Sequence, residues 1–257
     1  MQTTYTGGRA EGAYLAETLE EFFEDHVLTD ILFKVKGGKE ANVYCCQSTR
    51  HGLVAAKVYR PPEFRAMKND WLYRVGREET DASGKAARES RQQRAMAKRT
   101  TFGKQLRSGS WVYSEVAALQ ACFEAGVNVP RFIGSGEHAI LMQFLGDESG
   151  AWPTLHGQQF PVSQANDLWL DLREDLARML SVNRVHGDLS PYNVLVDDQR
   201  RPWVIDLPQT VHPLNHPSGY DLLLRDVQRL CDFFNKQGMD LFAEEETQRL
   251  WRDEFGW

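Results

Sequence analysis

Three oxygen-bearing side chains stand at the ends of apolar segments in the stretch VHGDLSPYNVLVDDQRRPWVID, residues 185–206. Asp188 and Asn193 precede one apolar run, and Asp206 ends the next. Burial makes such groups costly unless a partner satisfies them. Mg²⁺ takes oxygen ligands, and phosphoryl transfer needs such an ion together with a carboxylate that orients the attacking hydroxyl. Because a hairpin between the two runs would bring Asn193 and Asp206 side by side, the pattern predicts a magnesium–nucleotide site with Asp188 beside it.

The same stretch also contains residues that favour turns, since Asp, Ser, Pro and Asn all do so. The complete order, H-G-D-x-x-x-x-N, an apolar run and an Ile-Asp strand end, favours catalysis over turn formation. His186 is expected to be buried and to support the loop through backbone hydrogen bonds. Asp197 and Asp198 are expected to form a solvated turn at the tip of the hairpin.

Hydrophobic periodicity predicts the elements that must position these residues. Strands are predicted at ILFKV, NVYCC and LVAAKVY, and two more flank the Gly-Ser-Gly turn of RFIGSGEHAILMQFLG. Helices are predicted over residues 13–28, 110–125, 165–182, 220–234 and 240–251. The chain therefore divides into an N-terminal helical extension (1–30), a sheet lobe (31–145) with a flexible basic insertion (61–109), and a mainly helical lobe (146–257).

Composition indicates an ordinary globular protein, with 42% hydrophobic and 26% charged residues among 257. No apolar run approaches the roughly 20 residues that span a bilayer, and the N-terminus does not resemble a secretion signal. The four cysteines form no CxxC pair. These features predict free thiols, a cytoplasmic location and no membrane partner.

Charge is distributed unevenly along the chain. Residues 60–107 contain thirteen Lys or Arg and six Asp or Glu, although the whole chain has a net charge of −6. The favoured interpretation is a solvated helical face and a mobile loop. The alternative is a surface for an anionic partner such as RNA.

Several motifs resemble those of the RIO-type atypical serine/threonine kinases. HGDLSPYNVLV followed by VIDLPQTV is similar to their catalytic and metal loops, and GGKEANVY to their nucleotide-binding loop. AAKVYR resembles the strand of the ATP lysine, WVYSEVAAL the helix of its glutamate partner, and HPSGYDLLLRDVQRLCDFF the helix after the metal loop. The likeness implies an α+β, two-lobed protein-kinase-like fold: an N-lobe with an antiparallel sheet and a helix, and a compact, mainly helical C-lobe without the long activation segment and peptide platform.

The resemblance implies roles in binding ATP. Lys57 would contact the α- and β-phosphates, and Glu115 would hold Lys57 through an ion pair. The residues that would cover the phosphates are Gly38, Lys39, Glu40, Ala41, Asn42 and Val43. The hinge residues would be Met142 as gatekeeper, with the backbone of Gln143 and Phe144 meeting the adenine.

It also implies roles in the reaction. Asp188 would be the catalytic base, and Asn193 and Asp206 would bind Mg²⁺, or Mn²⁺ in its place. Asp206 would in addition be a candidate acceptor of the phosphoryl group, as an aspartyl phosphate. The implied activity is that of a RIO-type serine/threonine kinase or ATPase acting on a protein or on itself.

Two other functions stay open. One is a small-molecule phosphotransferase similar to aminoglycoside or sugar kinases, which share the HGDxxxxN loop and usually carry a larger helical substrate lobe. The other is an ATP-gated assembly factor that binds nucleotide without requiring turnover, for example on a ribosomal particle, as the resemblance implies.

Overall fold

The structure is a computed structural model, and it describes residues 3–60 and 101–257, of which residues 101–111 by their backbone only. Of the basic insertion predicted over residues 61–109, residues 61–100 therefore lie outside the described residues. The described chain forms two compact units. The first comprises residues 3–60, 101–116 and 131–151, and the second comprises residues 117–130 and 152–257.

A five-stranded antiparallel sheet forms the first unit, with the strand order β1-β2-β3-β5-β4. Its strands are β1 (Asp30–Gly37), β2 (Ala41–Ser48), β3 (Gly52–Tyr59), β4 (Phe132–Ser135) and β5 (Ala139–Gln143). A two-stranded ribbon follows, consisting of β6 (Gly146–Asp147) and β7 (Gly150–Ala151). The five predicted strands of the sheet are thus present, and the small ribbon is an addition.

Successive residues of β3 point to opposite faces of the sheet, because side chains alternate along a strand. Val54, Ala56 and Val58 belong to a hydrophobic cluster on one face. Ala55 and Tyr59 belong to clusters on the other. Lys57 has the same parity as Ala55 and Tyr59 and therefore lies on their face.

Helix α1 (Arg9–Glu24) packs on the Val54 face through Leu15, Leu19 and Phe22. The helix ends at Glu24, before the predicted end at residue 28. His26 adopts a left-handed backbone conformation with φ of 55°. The N–H groups of the next two residues donate to the carbonyl of Phe22, so the chain turns away toward β1 at this point.

Helix α2 (Thr101–Glu124) lies between β3 and β4 in sequence and begins well ahead of the predicted start at Ser110. The later start was predicted because the apolar residues at helical spacing begin only after Ser110 and the residues before it are polar and basic. Once the apolar part of a helix has formed, each further residue adds one hydrogen bond, so extension costs little. Val112 and Val116 of α2 pack on the sheet face that carries Ala41 and Tyr59.

The second unit is mainly helical. Its elements are α3 (Val162–Ser181), a 3₁₀ turn (Pro191–Asn193), β8 (Val194–Val196), β9 (Pro202–Val204), α4 (Gly219–Asn235) and α5 (Ala243–Phe255). Trp169 of α3 meets Phe234 of α4 edge to face, with ring centroids 5.7 Å apart, and Tyr220 meets Trp251 of α5 at 5.1 Å. Helix α5 begins later than the predicted residue 240 because the Asn235 side chain hydrogen-bonds both backbone groups of Leu241.

The hairpin tip between β8 and β9 differs from the prediction of a solvated turn. Asp198 is exposed, but Asp197 is buried. The Asp197 carboxylate accepts hydrogen bonds from Arg201 Nε at 2.8 Å and Trp203 Nε1 at 3.2 Å. Burial would raise the pKa of Asp197, but these bonds and those from backbone N–H groups outweigh it and lower the pKa. Asp197 thus fixes the turn that aligns β8 with β9.

Two further features concern the cysteines and the length of the helices. All four cysteines are buried and free, and Cys45 and Cys46 belong to clusters on opposite faces of the sheet. Among the described residues, we find no helix with the length and apolar character needed to traverse a bilayer.

Candidate functional site

Lys57 on β3 and Glu115 on α2 form a buried ion pair in the first unit. Lys57 Nζ lies 2.6 Å from Glu115 Oε1, and the two side chains are 9% and 4% exposed. The ammonium also lies 5.5 Å from the ring centroid of Tyr59. The ion pair that the resemblance implies is therefore present, and it holds a lysine in a fixed position where its charge could meet a phosphate.

The hairpin between β1 and β2 contains the six residues predicted to cover the phosphates. The Gly38 N–H donates to the Ala41 carbonyl at 2.9 Å and closes the turn. A Cβ on Gly38 would lie 2.7 Å from that carbonyl oxygen, so glycine is required there. Val43, the last of the six, pairs with Lys57 across β2 and β3. The register therefore places the end of this loop beside the lysine.

A hydrogen-bonded junction joins this loop to α1, and sequence reasoning did not find it. The Asn42 amide donates to the Tyr44 hydroxyl at 3.2 Å, and that hydroxyl donates to the Glu11 carboxylate. Lys34 Nζ binds the same Glu11 oxygen at 2.8 Å. Burial is the main reason that the pKa of Tyr44 is raised, so its hydroxyl remains a donor.

The predicted hinge residues lie at the end of β5 in the first unit. Phe144 is buried and meets Phe33 edge to face at 6.1 Å, and Met142 packs in the same cluster. The Gln143 N–H donates to the Arg131 carbonyl at 2.8 Å. This N–H is therefore already used, and adenine contacts at Gln143 and Phe144 remain a prediction.

In the second unit, His186 joins the Asp188 loop to the strand that leads to Asp206. The ring is buried; its Nδ1 accepts from the Asp188 N–H at 3.3 Å, and its Nε2 lies 3.0 Å from the Ile205 carbonyl. Because Nδ1 accepts, Nε2 carries the proton and donates to Ile205. The predicted supporting role of His186 is confirmed.

Asn193 and Asp206 are brought onto adjoining segments at the end of the β8–β9 hairpin. The Ile205 N–H donates to the Asn193 carbonyl at 3.0 Å, and Asn193 Nδ2 donates to the Asp188 carbonyl at 3.0 Å. Asp206 has a left-handed backbone with φ of 69°. Such a conformation is uncommon for residues other than glycine, and aspartate is among those that adopt it most readily. The structure therefore brings the Asp188, Asn193 and Asp206 segments together.

The residues at this site fit a magnesium ion. Because Nδ2 of the buried Asn193 binds the Asp188 carbonyl, Oδ1 is the amide atom left for a cation, and Asp206 adds an exposed carboxylate. In the described ranges 3–60 and 101–257, no three His, Cys, Asp or Glu side chains form a group that could hold a metal. An ion held by Asn193 and Asp206 would depend on phosphate and water oxygens for its other ligands, as Mg²⁺ commonly does, and would neutralise phosphate charge.

Asp226 on α4 holds the Asp188 loop through hydrogen bonds to its backbone. The sequence analysis did not identify this residue. This fully buried carboxylate accepts from the Gly187 N–H at 2.7 Å and the Leu189 N–H at 3.0 Å. Burial raises its pKa to about 7, against the lowering effect of these bonds. An aspartate on the apolar face of an otherwise regular amphipathic helix was the signal that could have identified it.

A second buried aspartate, Asp175 on α3, holds the segment between α2 and β4. Its carboxylate accepts from the Asn128 N–H at 3.2 Å and from Asn128 Nδ2 at 3.1 Å. The Asn128 carbonyl in turn accepts from the Val204 N–H at 2.8 Å. Asp175 thereby supports β9, the strand that leads to Asp206.

These features define the class of protein. One unit is an antiparallel sheet with a helix and a Lys–Glu pair, and the other is mainly helical and presents the Asp188, Asn193 and Asp206 segments. This is a two-lobed, protein-kinase-like α+β fold. A solved Rio2 kinase from Chaetomium thermophilum, in complex with ADP, Mg²⁺ and phosphoaspartate, shares it with a TM-score of 0.61 and 21% identity, covering 92% of this chain and 66% of that one.

The sequence pattern of the RIO domain matches residues 42–247, so the chain belongs to the RIO domain family. It is 31% identical over 208 residues to the RIO-type serine/threonine-protein kinase Rio1 of Haloferax volcanii, covering 80% of this chain and 63% of that protein. It is 28% identical over 216 residues to serine/threonine-protein kinase RIO1 of Caenorhabditis elegans, covering 81% of this chain and 38% of that protein. The chain therefore spans less than two thirds of the length of either relative.

Proposed function

We propose that this chain is an ATP- and Mg²⁺-dependent RIO-type serine/threonine kinase or ATPase. The observation that carries the proposal is the hydrogen-bonded assembly of the Asp188, Asn193 and Asp206 segments. Family membership and the Lys57–Glu115 pair support it. Lys57 and the loop from Gly38 to Val43 hold the phosphates, Asn193 and Asp206 hold Mg²⁺, and the end of β5 meets the adenine.

In the transfer step, Asp188 accepts the proton of the attacking hydroxyl. That hydroxyl oxygen forms a bond to the γ-phosphorus, the bond from this phosphorus to the β–γ bridging oxygen breaks, and ADP leaves with the electron pair. A seryl or threonyl hydroxyl as the nucleophile gives a phosphoprotein, and water gives ATP hydrolysis.

Asp206 is also proposed as a covalent acceptor. One carboxylate oxygen attacks the γ-phosphorus, ADP departs, and an aspartyl phosphate remains until water or a hydroxyl displaces it. The solved Rio2 kinase complex that contains a phosphoaspartate supports this route.

Further parts of the proposal concern partners and organisation. The substrate is a protein or the chain itself, Mn²⁺ substitutes for Mg²⁺, and the location is cytoplasmic. The proposed organisation is an N-terminal helical extension over residues 1–30 that packs on the sheet, an N-lobe over residues 31–145 and a C-lobe over residues 146–257. An RNA or ribosomal partner would bind the basic stretch 60–107, most of which lies outside the described residues.

Incubation with γ-labelled ATP and Mg²⁺ tests the function. We expect wild type to turn over ATP, and Asp188→Asn and Asp206→Asn to lower kcat by about 100-fold or more, because each removes a required carboxylate. Asp198→Asn, which changes an exposed carboxylate at the hairpin tip, is the matched control and should retain wild-type kcat.

The chemistry of the label separates the alternatives. Neutral hydroxylamine cleaves an acyl phosphate but not a phosphoserine, so hydroxylamine-labile label that is absent from Asp206→Asn identifies the covalent acceptor. Label found only on an added sugar or aminoglycoside would favour the small-molecule phosphotransferase. Nucleotide binding with no turnover in wild type would favour the assembly factor.

A further inference from the structure

Helix α4 contacts the Asp188 loop through three charged side chains, and only one of them reaches the reactive carboxylate. Residues 225, 226 and 229 lie on one face of the helix because they are spaced by three and four. Arg225 donates to the Gly187 carbonyl, and Asp226 takes two backbone N–H groups. Arg229 Nη1 instead donates to Asp188 Oδ1 at 2.8 Å.

The Arg229–Asp188 pair contributes little to stability. The side chains are 37% and 43% exposed, and half-exposed ion pairs are screened by water and lose side-chain entropy. The loop is already held by Asp226 and Arg225, which bind its backbone. Folding of the loop therefore does not account for a charged side chain placed on the Asp188 carboxylate.

The pair distinguishes the two oxygens of Asp188. Oδ1 is bound to Arg229, whereas Oδ2 makes no hydrogen bond to any part of the chain that the structure describes. The same guanidinium nitrogen lies 3.4 Å from the Leu189 carbonyl, so Arg229 is fixed to the loop at two points. The loop HGDLSPYN itself contains no Lys or Arg.

We propose that Arg229 is a positioning residue that fixes the Asp188 carboxylate and directs Oδ2 toward the acceptor hydroxyl. The inference rests on the proposed function, because it concerns the same proton transfer. The acceptor O–H bond breaks as its proton passes to Oδ2, the acceptor oxygen bonds to the γ-phosphorus, and ADP leaves with the electrons of the cleaved bond. Arg229 acts through Asp188 and does not itself contact the reacting atoms.

The test compares steady-state ATP turnover of wild type, Arg229→Met and Arg229→Lys. We expect Arg229→Met to lower kcat by about 10-fold or more, since a misdirected catalytic group is costly in rate. The KM for ATP should change by less than about two-fold, because phosphate contacts are untouched. Lysine retains the charge and should restore most of kcat.

Arg252→Met on α5, which changes an exposed arginine, is the matched control and should leave kcat and KM unchanged. The urea midpoints of all four proteins should agree closely. If wild type turns over ATP and Arg229→Met has the same kcat, the inference about Arg229 is overturned and the proposed function stands. Equal losses of kcat in the Met and Lys variants, accompanied by equal losses of stability, would mean a purely structural role and also overturn it. A wild type that does not turn over ATP overturns the proposed function together with this inference.

Discussion

The Lys57–Glu115 pair is held almost entirely away from water, and its energetics follow from that burial. Removing one partner of a buried pair leaves an uncompensated charge, whereas an exposed pair is worth little. The same side chains that would serve ATP binding are therefore also sensitive points of stability.

We expect Glu115→Ala to lower the free energy of unfolding by about 3–5 kcal/mol, because Lys57 would remain buried without its partner. Urea denaturation measures the change. Glu174→Ala on α3 removes one partner of the exposed Arg178–Glu174 pair and serves as the control, with an expected loss of at most about 1 kcal/mol. Equal effects of the two substitutions would contradict the assigned difference in burial.

Among the elements, α3 influences the site through a buried carboxylate rather than through apolar packing. Asp175 binds Asn128, and Asn128 binds β9 at Val204, two residues before Asp206. Burial raises the pKa of Asp175 to about 6, while the bonds from Asn128 and Arg178 oppose that rise. Because Asp175 ionises at a different pH in the folded and unfolded chain, the stability of the packing around α3 depends on pH.

The sign of this linkage follows from the two pKa values. An aspartate in the unfolded chain titrates near about 3.9, so between about pH 4 and pH 6 the native state binds more protons than the unfolded state. The stability that Asp175 contributes is therefore fully present below about pH 4 and is lost as the pH rises through about 6.

We expect Asp175→Asn to remove this pH dependence, which amounts to at most about 3 kcal/mol for a shift of this size. The free energy of unfolding, measured by urea denaturation at several pH values, should fall in wild type relative to Asp175→Asn as the pH rises from about 4 to about 7, because only wild type must ionise a buried carboxyl group over this range. Asp167→Asn changes an exposed carboxylate on the same helix and should leave the slope as in wild type. If the free energy of unfolding of Asp175→Asn changes with pH as it does in wild type, Asp175 is not the source of the pH dependence.

At the scale of the whole molecule, the folded core extends beyond the part that matches the family pattern. The match begins at residue 42, yet α1 and β1 lie ahead of it and contribute to the same core as β2 and β3. Leu19 is fully buried in this core, and Glu11 ties α1 to β1 and β2. The N-terminal helix is therefore part of the folded unit.

We expect Leu19→Ala to lower the free energy of unfolding by about 2–5 kcal/mol, because it removes buried methyl groups and leaves a cavity. Thermal and urea unfolding of the full chain measure the loss. Glu20→Ala, at the neighbouring exposed position of α1, should stay within about 0.5 kcal/mol of wild type. Similar stabilities of Leu19→Ala and Glu20→Ala would show that α1 is not part of the cooperative core.

The sequence alone determined the elements and the residues with chemical character. Alternation of apolar residues predicted the five strands of the sheet, and the spacing of Asp188, Asn193 and Asp206 predicted that a hairpin would bring their segments together. Both are local properties, since they depend on periods of two and 3.6 residues and on the reach of one turn. Their catalytic and metal-binding roles remain proposals.

Only the tertiary structure decided which distant side chains hold those segments in place. Asp226, Arg229 and Asp175 lie on helices and bind loops far away in sequence, and periodicity carries no information on such contacts. Asp197 is a similar case, because its burial depends on the Arg201 and Trp203 side chains folding back over the turn. A polar side chain is buried only where several separate segments supply its hydrogen bonds, and that is a property of the assembled fold.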